Sequence, residues 1–156
     1  MRIVVSAGGT GGHIYPAIAL INKIKEKEPR SEILFIGTHN RMEKDIIPKY
    51  DINYYPLTVT GLKRKITLEN FKVMYQVVKS VKQAKTVIED FQPEVVVGFG
   101  GYVTAPVIIA AKILKIPTFI HEQNSVSGLA NKLLGKIATS VGVSFEATLK
   151  DYGSKA

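Results

Sequence analysis

Apolar residues fall into short continuous runs, separated by longer stretches in which they recur at helical spacing. The short runs predict strands at residues 2–6, 33–37, 52–58, 95–97, 118–120 and 139–143. The longer stretches predict helices at residues 14–28, 41–49, 68–91, 103–114 and 129–137, with a terminal turn or helix at 145–150. Strands that alternate with helices predict an α/β fold, a Rossmann-like doubly wound parallel sheet covered on both faces.

Polar and glycine-rich segments follow three of the predicted strands. They lie at residues 8–13 after the first strand, at 98–102 after the fourth, and at 121–124 after the fifth, where a loop is expected. Ligands of doubly wound sheets bind beyond the carboxyl ends of the strands. The pattern therefore predicts that these three segments face one crevice.

Composition narrows the class of partner. The 156 residues suffice for one domain with a hydrophobic core, and the absence of cysteine excludes disulfides and thiolate metal sites. The net charge of +8 favours a polyanionic partner, either a nucleic acid, an anionic membrane face or a pyrophosphate compound. No recognition helix or basic tail is present, so we expect no nucleic-acid binding.

Neither an apolar leader nor a spanning segment is apparent, which predicts a cytoplasmic protein.

Four glycines within residues 8–12 precede a predicted helix, an arrangement that brings backbone close to a phosphate. A dinucleotide cofactor is disfavoured, because Ile14 occupies the third glycine position of the fingerprint. The second strand also ends without the acid that holds a ribose. No Walker motif occurs, and the three histidines share no metal-ligand spacing. We therefore expect neither a cofactor nor a metal.

Four motifs follow one another along the chain: Gly8-Gly9-Thr10-Gly11-Gly12-His13, Gly98-Phe99-Gly100-Gly101-Tyr102, His121-Glu122-Gln123-Asn124 and Gly128-Leu129-Ala130-Asn131-Lys132. Together they resemble the MurG family of N-acetylglucosaminyltransferases, which convert lipid I to lipid II in peptidoglycan synthesis. The resemblance covers essentially the whole chain.

This resemblance implies the N-terminal half of a GT-B glycosyltransferase. Residues 1–156 correspond to the acceptor-binding domain, and the C-terminal domain that holds most of the UDP-GlcNAc donor is absent from this chain. We therefore expect a partial donor site, binding of lipid I, and little transferase activity from the chain alone. Two alternatives stay open: a stand-alone peripheral membrane module that binds pyrophosphate lipids, and a related GT-B enzyme that glycosylates diacylglycerol.

Two residues are candidates for catalysis. An inverting transfer needs a base that takes the proton of the acceptor's 4-hydroxyl group. His13 lies at the start of a predicted helix, whose positive end disfavours imidazolium, so a neutral ring is expected. A histidine that only holds the glycine loop is the alternative. Glu122 is expected to orient a histidine or the acceptor, to form an ion pair with His121, or to replace His13 as the base.

The resemblance also implies roles in substrate binding. Backbone groups of Thr10, Gly11 and Gly12 would contact the donor, and Asn124 would contact the donor sugar. Gly100, Gly101 and Tyr102 would bind the acceptor pyrophosphate. His121 and Gln123 complete the predicted substrate-binding set. His39 is given no role.

Apolar and basic residues interleave between residues 62 and 75. This membrane patch comprises Leu62, Lys63, Arg64, Lys65, Ile66, Phe71, Lys72, Met74 and Tyr75. An apolar patch rimmed by cations suits an anionic leaflet, and the resemblance implies peripheral docking on the inner face of the cell membrane. An ordinary amphipathic helix with a lysine-rich solvent face is the alternative.

Overall fold

A computed structural model of the chain describes residues 1–59 and 70–156, and the side chains of the second range from residue 75 onward. The strands are β1 (Arg2–Ala7), β2 (Glu32–Thr38), β3 (Asn53–Leu57), β4 (Val95–Gly100), β5 (Thr118–Glu122) and β6 (Ser140–Val143). The helices are α1 (Gly11–Lys27), α2 (Glu43–Ile46), α3 (Asn70–Phe91), α4 (Thr104–Ile113) and α5 (Leu129–Gly135), with 3-10 turns at Ile47–Tyr50, Glu146–Asp151 and Gly153–Lys155.

The strands form one parallel sheet in the order β3-β2-β1-β4-β5-β6. The chain builds outward from β1 in one direction and from β4 in the other, so the strand order reverses between these two strands. This confirms the predicted doubly wound fold. Ligand crevices in such sheets open at this switch point, beyond the carboxyl ends of the strands.

Alternate strand residues point to opposite faces of the sheet and build two hydrophobic cores. On one face, Ile3, Val5 and Phe35 pack against α1 residues such as Ile14 and Ile21. On the other face, strand residues pack against α3, α4, α5 and the C-terminal turns. The buried strand runs of the sequence therefore read as continuous apolar segments, as is usual in a sheet that is covered on both sides.

Several predicted boundaries were wrong in ways that affect the site. Helix α1 begins at Gly11, three residues before the predicted start, because the glycines themselves form its first turn. Strand β5 continues through His121 and Glu122, which were expected in a loop. The predicted helix at residues 41–49 is a single α-helical turn followed by a 3-10 turn. The predicted start of the long helix at residue 68 lies outside the described residues.

The turns after β1 and β4 pack directly against each other. The Gly8 N–H donates to the Gly100 carbonyl oxygen over 3.3 Å. Gly101 has a φ of +85°, and a Cβ atom there would overlap the Gly8 carbonyl oxygen. Glycine at position 101 is therefore required for the two turns to meet. This contact brings the two glycine-rich segments to one place, as the sequence predicted.

Candidate functional site

A cavity of about 250 Å³ opens at the carboxyl ends of β4 and β5. The segment after β1 contributes His13, the turn after β4 contributes Gly100, Gly101 and Tyr102, and α5 closes the far side. Glu122 and Asn124 complete the wall that the sequence analysis predicted, together with Gly128, Leu129, Ala130 and Asn131. We call this cavity the polar pocket.

The hydrogen bonds of His13 indicate which nitrogen of the neutral ring carries the proton. Its Nδ1 atom lies 3.1 Å from the Gly8 carbonyl oxygen and 3.2 Å from the Thr10 hydroxyl. A carbonyl oxygen only accepts hydrogen bonds, so Nδ1 carries the proton and the neutral ring keeps its lone pair on Nε2. An ideal Cβ atom built on Gly100 would lie 3.1 Å from Nε2. The lone pair therefore lies beside the bare backbone of Gly100, at the polar pocket.

Glu122 is fully buried and gathers the loop between β5 and α5 around its carboxylate. Its oxygens accept hydrogen bonds from the backbone N–H and the side-chain amide of Asn124, at 3.0 and 2.8 Å. Further donors are the Gly128 N–H at 2.9 Å, the Asn131 amide at 3.0 Å and the Tyr152 hydroxyl at 3.2 Å. The carboxylate is thus engaged by groups of the protein itself.

These contacts set the ionisation of the cluster. Burial would raise the pKa of Glu122, but the hydrogen bonds from Asn124, Gly128 and Asn131 outweigh it and hold the pKa below its ordinary 4.5. Burial raises the pKa of Tyr152 to about 12, so its hydroxyl remains a donor. Glu122 is therefore a carboxylate at neutral pH.

His121 lies apart from the polar pocket. Consecutive strand residues point to opposite faces, so Glu122 faces α5 while His121 packs on Phe99, with ring centroids 5.3 Å apart. The alternative in which Glu122 forms an ion pair with His121 was wrong for this reason. Burial lowers the pKa of His121, offset in part by its neighbours Gln123 and Glu122. The Gln123 amide donates to the Phe99 carbonyl oxygen at 3.1 Å, so it braces β4 and does not line the pocket.

The glycine loop rests on a buried carboxylate that the sequence analysis missed. Glu43 is fully buried; it accepts a hydrogen bond from the Gly9 N–H at 3.1 Å and from both donors of Thr38, at 3.1 and 2.6 Å. A Cβ atom on Gly8 would lie 2.8 Å from its Oε1, and one on Gly37 would lie 2.7 Å from its Cγ. Glycine at these two positions thus makes room for the Glu43 side chain.

Thr10, Gly11 and Gly12 form the start of α1, beside the polar pocket and not among its lining residues. A Cβ atom on Gly12 would meet only the Thr10 hydroxyl, at an ordinary 3.8 Å. Packing therefore does not account for glycine at position 12. The first backbone N–H groups of a helix have no intrahelical acceptor, so this end of α1 can receive an anion.

Asn131 is a further site residue that the sequence analysis did not single out. It is 3% exposed, and its amide nitrogen donates to Glu122 and, at 3.3 Å, to the His121 carbonyl oxygen. Its Oδ1 atom is buried and has no hydrogen-bond partner within the described part of the chain. A Cβ atom on Gly100 would lie 3.3 Å from Oδ1 and 3.1 Å from His13 Nε2, so both acceptor atoms lie close to the backbone of Gly100.

The predicted membrane patch is only partly described. Leu62, Lys63, Arg64, Lys65 and Ile66 lie outside the described residues, and Phe71, Lys72 and Met74 belong to α3 without described side chains. Tyr75 is 70% exposed. Within residues 1–59 and 70–156, no helix has the length and apolar character needed to cross a bilayer.

Comparison with known proteins gives a consistent result. The family model described as the glycosyltransferase family 28 N-terminal domain matches residues 3–143. A curated protein of Leuconostoc mesenteroides, named UDP-N-acetylglucosamine–N-acetylmuramyl-(pentapeptide) pyrophosphoryl-undecaprenol N-acetylglucosamine transferase, is 50% identical over 97% of this chain and 42% of its own length. A Bacillus cereus protein of the same name, numbered 1, is 48% identical over the same shares of the two chains.

Solved structures agree with the sequence relatives. The crystal structure of MurG from Acinetobacter baumannii has a TM-score of 0.82 and 29% identity, covering 94% of this chain and 42% of that one. A UDP-GlcNAc 2-epimerase from Neisseria meningitidis has a TM-score of 0.68 over 97% of this chain and 42% of that one, but its 18% identity supports the fold alone. The chain thus spans about 42% of the length of the curated relatives named above.

Proposed function

Because the chain belongs to the glycosyltransferase family 28 N-terminal domain family, we propose that it forms the acceptor-binding half of a transferase of the lipid II-forming type. In this proposal, N-acetylglucosamine moves from UDP-GlcNAc to the 4-hydroxyl group of undecaprenyl-pyrophosphoryl-MurNAc-pentapeptide. The curated relatives of that printed activity, at 48–50% identity, support the substrate class. A second domain, corresponding to the rest of those relatives, completes the donor site.

One observation carries the catalytic proposal. The Nδ1 proton of His13 is committed to the Gly8 carbonyl oxygen, which leaves Nε2 as a proton acceptor beside Gly100 at the polar pocket. In the proposed step, Nε2 takes the proton of the 4-hydroxyl group while its oxygen attacks the anomeric carbon and UDP leaves with the bonding electrons. The stereochemistry at the anomeric carbon inverts. Asn131 also lines the polar pocket, and we infer that it helps to position the acceptor sugar.

The remaining candidates divide between substrate contact and support. We infer that Gly12, where packing does not require glycine, marks close approach of the donor to the start of α1. The turn at Gly100, Gly101 and Tyr102 leads into α4 and is proposed to receive the acceptor pyrophosphate. Glu122 is proposed as a positioning residue rather than the base, because the protein already supplies five donors to its carboxylate. It holds Asn124 and Asn131 in place.

A chimera tests the proposed activity. Residues 1–156 would be joined to the part of the Leuconostoc relative that lies beyond their match, and lipid II formation would be measured with lipid I and UDP-GlcNAc. We expect turnover by the chimera and little or none by the 156-residue chain alone. Robust lipid II formation by the chain alone would contradict the half-site proposal. Transfer to dioleoylglycerol in preference to lipid I would assign the chimera to the alternative acceptor class.

We also propose that residues 62–75 dock the protein on anionic membrane. The interleaved basic and apolar residues and the net charge of +8 support this, since each basic residue near an anionic surface contributes roughly 1 kcal/mol. We expect the chain to co-sediment with vesicles that contain phosphatidylglycerol at low salt, and to be released at high salt. Vesicles of phosphatidylcholine alone are the control. Equal sedimentation with both vesicle types, or with neither, would refute the proposal.

A further inference from the structure

A second cavity, of about 280 Å³, lies between α3, α4 and α5. We call it the apolar groove. Apolar side chains from three helices form its walls: Val77, Ala105, Pro106, Ile109, Leu133 and Leu134. Its volume is similar to that of the polar pocket, yet it has no role in the transfer reaction proposed above.

The apolar groove is continuous with the polar pocket. Tyr102 and Ala130 line both cavities. Along α5, Leu129 lines the polar pocket and Leu133, one turn later on the same side of the helix, lines the apolar groove. Both leucines are largely exposed, at 75% and 57%. One apolar ridge of α5 therefore leads from the first cavity into the second.

Among the described residues that line the groove, one of the two polar side chains with a hydroxyl group is the shared Tyr102, whose oxygen lies 3.4 Å from the Arg41 Nε donor. Ser80 supplies the other polar side chain among the lining residues, and its hydroxyl lies 2.7 Å from the Thr58 carbonyl oxygen and 2.8 Å from that of Gln76. A polar ligand would lose its hydration here without gaining partners, whereas hydrocarbon would lose nothing. The chemistry of these walls therefore selects an aliphatic occupant.

We propose that the apolar groove binds the first isoprene units of the polyprenyl chain attached to the acceptor pyrophosphate. This inference rests on the proposed function, since it places the pyrophosphate at the turn of Gly100, Gly101 and Tyr102. An acceptor with its sugar in the polar pocket and its pyrophosphate beside Tyr102 has its hydrocarbon at the entrance of the groove. Binding of the prenyl chain then fixes the direction in which the acceptor enters.

Soluble pyrophosphates of increasing chain length test the inference by calorimetry with the 156-residue chain. The probes are inorganic pyrophosphate, isopentenyl pyrophosphate and farnesyl pyrophosphate, each below its micelle threshold. Full burial of one methylene group raises affinity about fourfold, so we expect farnesyl pyrophosphate to bind at least about tenfold more tightly than isopentenyl pyrophosphate. Equal affinities of these two probes would overturn the inference and leave the proposed function standing. Failure of every pyrophosphate probe to bind would count against both.

Matched variants of α4 locate the effect. Ile109→Trp fills the groove and is expected to remove the gain of farnesyl over isopentenyl pyrophosphate, with inorganic pyrophosphate unaffected. Ile113→Trp is the control, because Ile113 is 55% exposed on the same helix and does not line the groove. Leu133→Gln changes the exposed rim and is expected to weaken the gain even if Ile109→Trp fails to fold. A gain that survives both groove variants would overturn the inference. So would a concentration-dependent dimer that Ile109→Trp dissociates, since a second copy would then occupy the groove.

Discussion

In the chimera, His13→Ala is expected to lower kcat by about 10²–10⁴-fold, the usual contribution of a positioned general base. The half-exposed side chain contributes little to either core, so the variant should fold. His39→Ala is the control, because His39 is an exposed histidine whose described side-chain hydrogen bond is to the Thr58 hydroxyl. Steady-state kinetics of lipid II formation would measure both variants. Normal turnover by His13→Ala would remove this residue from the mechanism.

His13→Asn separates proton transfer from support of the glycine loop. The asparagine amide can still donate to the Gly8 carbonyl oxygen, as His13 Nδ1 does over 3.1 Å, but it cannot accept a proton. If His13 is the base, His13→Asn should be as inactive as His13→Ala. If the ring only holds the loop, the asparagine variant should recover most of the kcat that the alanine variant loses.

The second large effect is expected at Glu122. In Glu122→Gln, one carboxylate oxygen becomes an NH₂ group that faces donors instead of accepting from them. Loss of these contacts inside a buried cluster should lower the free energy of unfolding at neutral pH by about 2–4 kcal/mol. Urea denaturation of the 156-residue chain would measure the change. Glu146→Gln is the matched control, because Glu146 is exposed at the start of the turn that follows β6.

The pH dependence of this effect has a defined sign. The pKa of Glu122 is lower in the folded protein than its ordinary 4.5, so its ionisation contributes stability that is fully present above pH 4.5. That contribution is lost as the pH falls through the lowered pKa of the folded state. The difference between wild type and Glu122→Gln should therefore shrink as the pH decreases below 4.5. A difference that stays constant down to acid unfolding would mean that the ionised carboxylate is not the stabilising group.

Hydrophobic periodicity was sufficient to predict the fold and the edge of the sheet at which the site lies. Strand and helix order follows from which residues must be buried, and the carboxyl ends of parallel strands necessarily share one edge. The sequence alone therefore predicted that the glycine-rich segments after β1 and β4 lie close together. What periodicity could not supply was the exact end of β5, and that boundary decides the faces on which His121 and Glu122 lie.

Two of the missed residues, Tyr152 and Glu43, act through partners that are remote in sequence. Tyr152 reaches Glu122 across 30 positions, and Glu43 reaches Gly9 across 34. No local pattern encodes such contacts. Asn131 did carry a signal, because it lies three residues before the buried Leu134 and so falls on the apolar side of α5. A polar residue on a buried helical face needs a hydrogen-bonding partner, and that requirement points toward the end of β5.

Because of the buried Glu43, the glycine motif depends on residues that lie outside the motif. Gly8 in the turn after β1 and Gly37 in β2 make room for the Glu43 side chain, and the Gly9 N–H donates a hydrogen bond to its carboxylate. The glycine loop could therefore not be transferred to another protein on its own. A protein that contained residues 8–13 without Glu43 and Gly37 would leave the partly buried Gly9 N–H without this acceptor and a void beside Gly8. We therefore expect substitution at any of these positions to be tolerated only in combination with changes at the others.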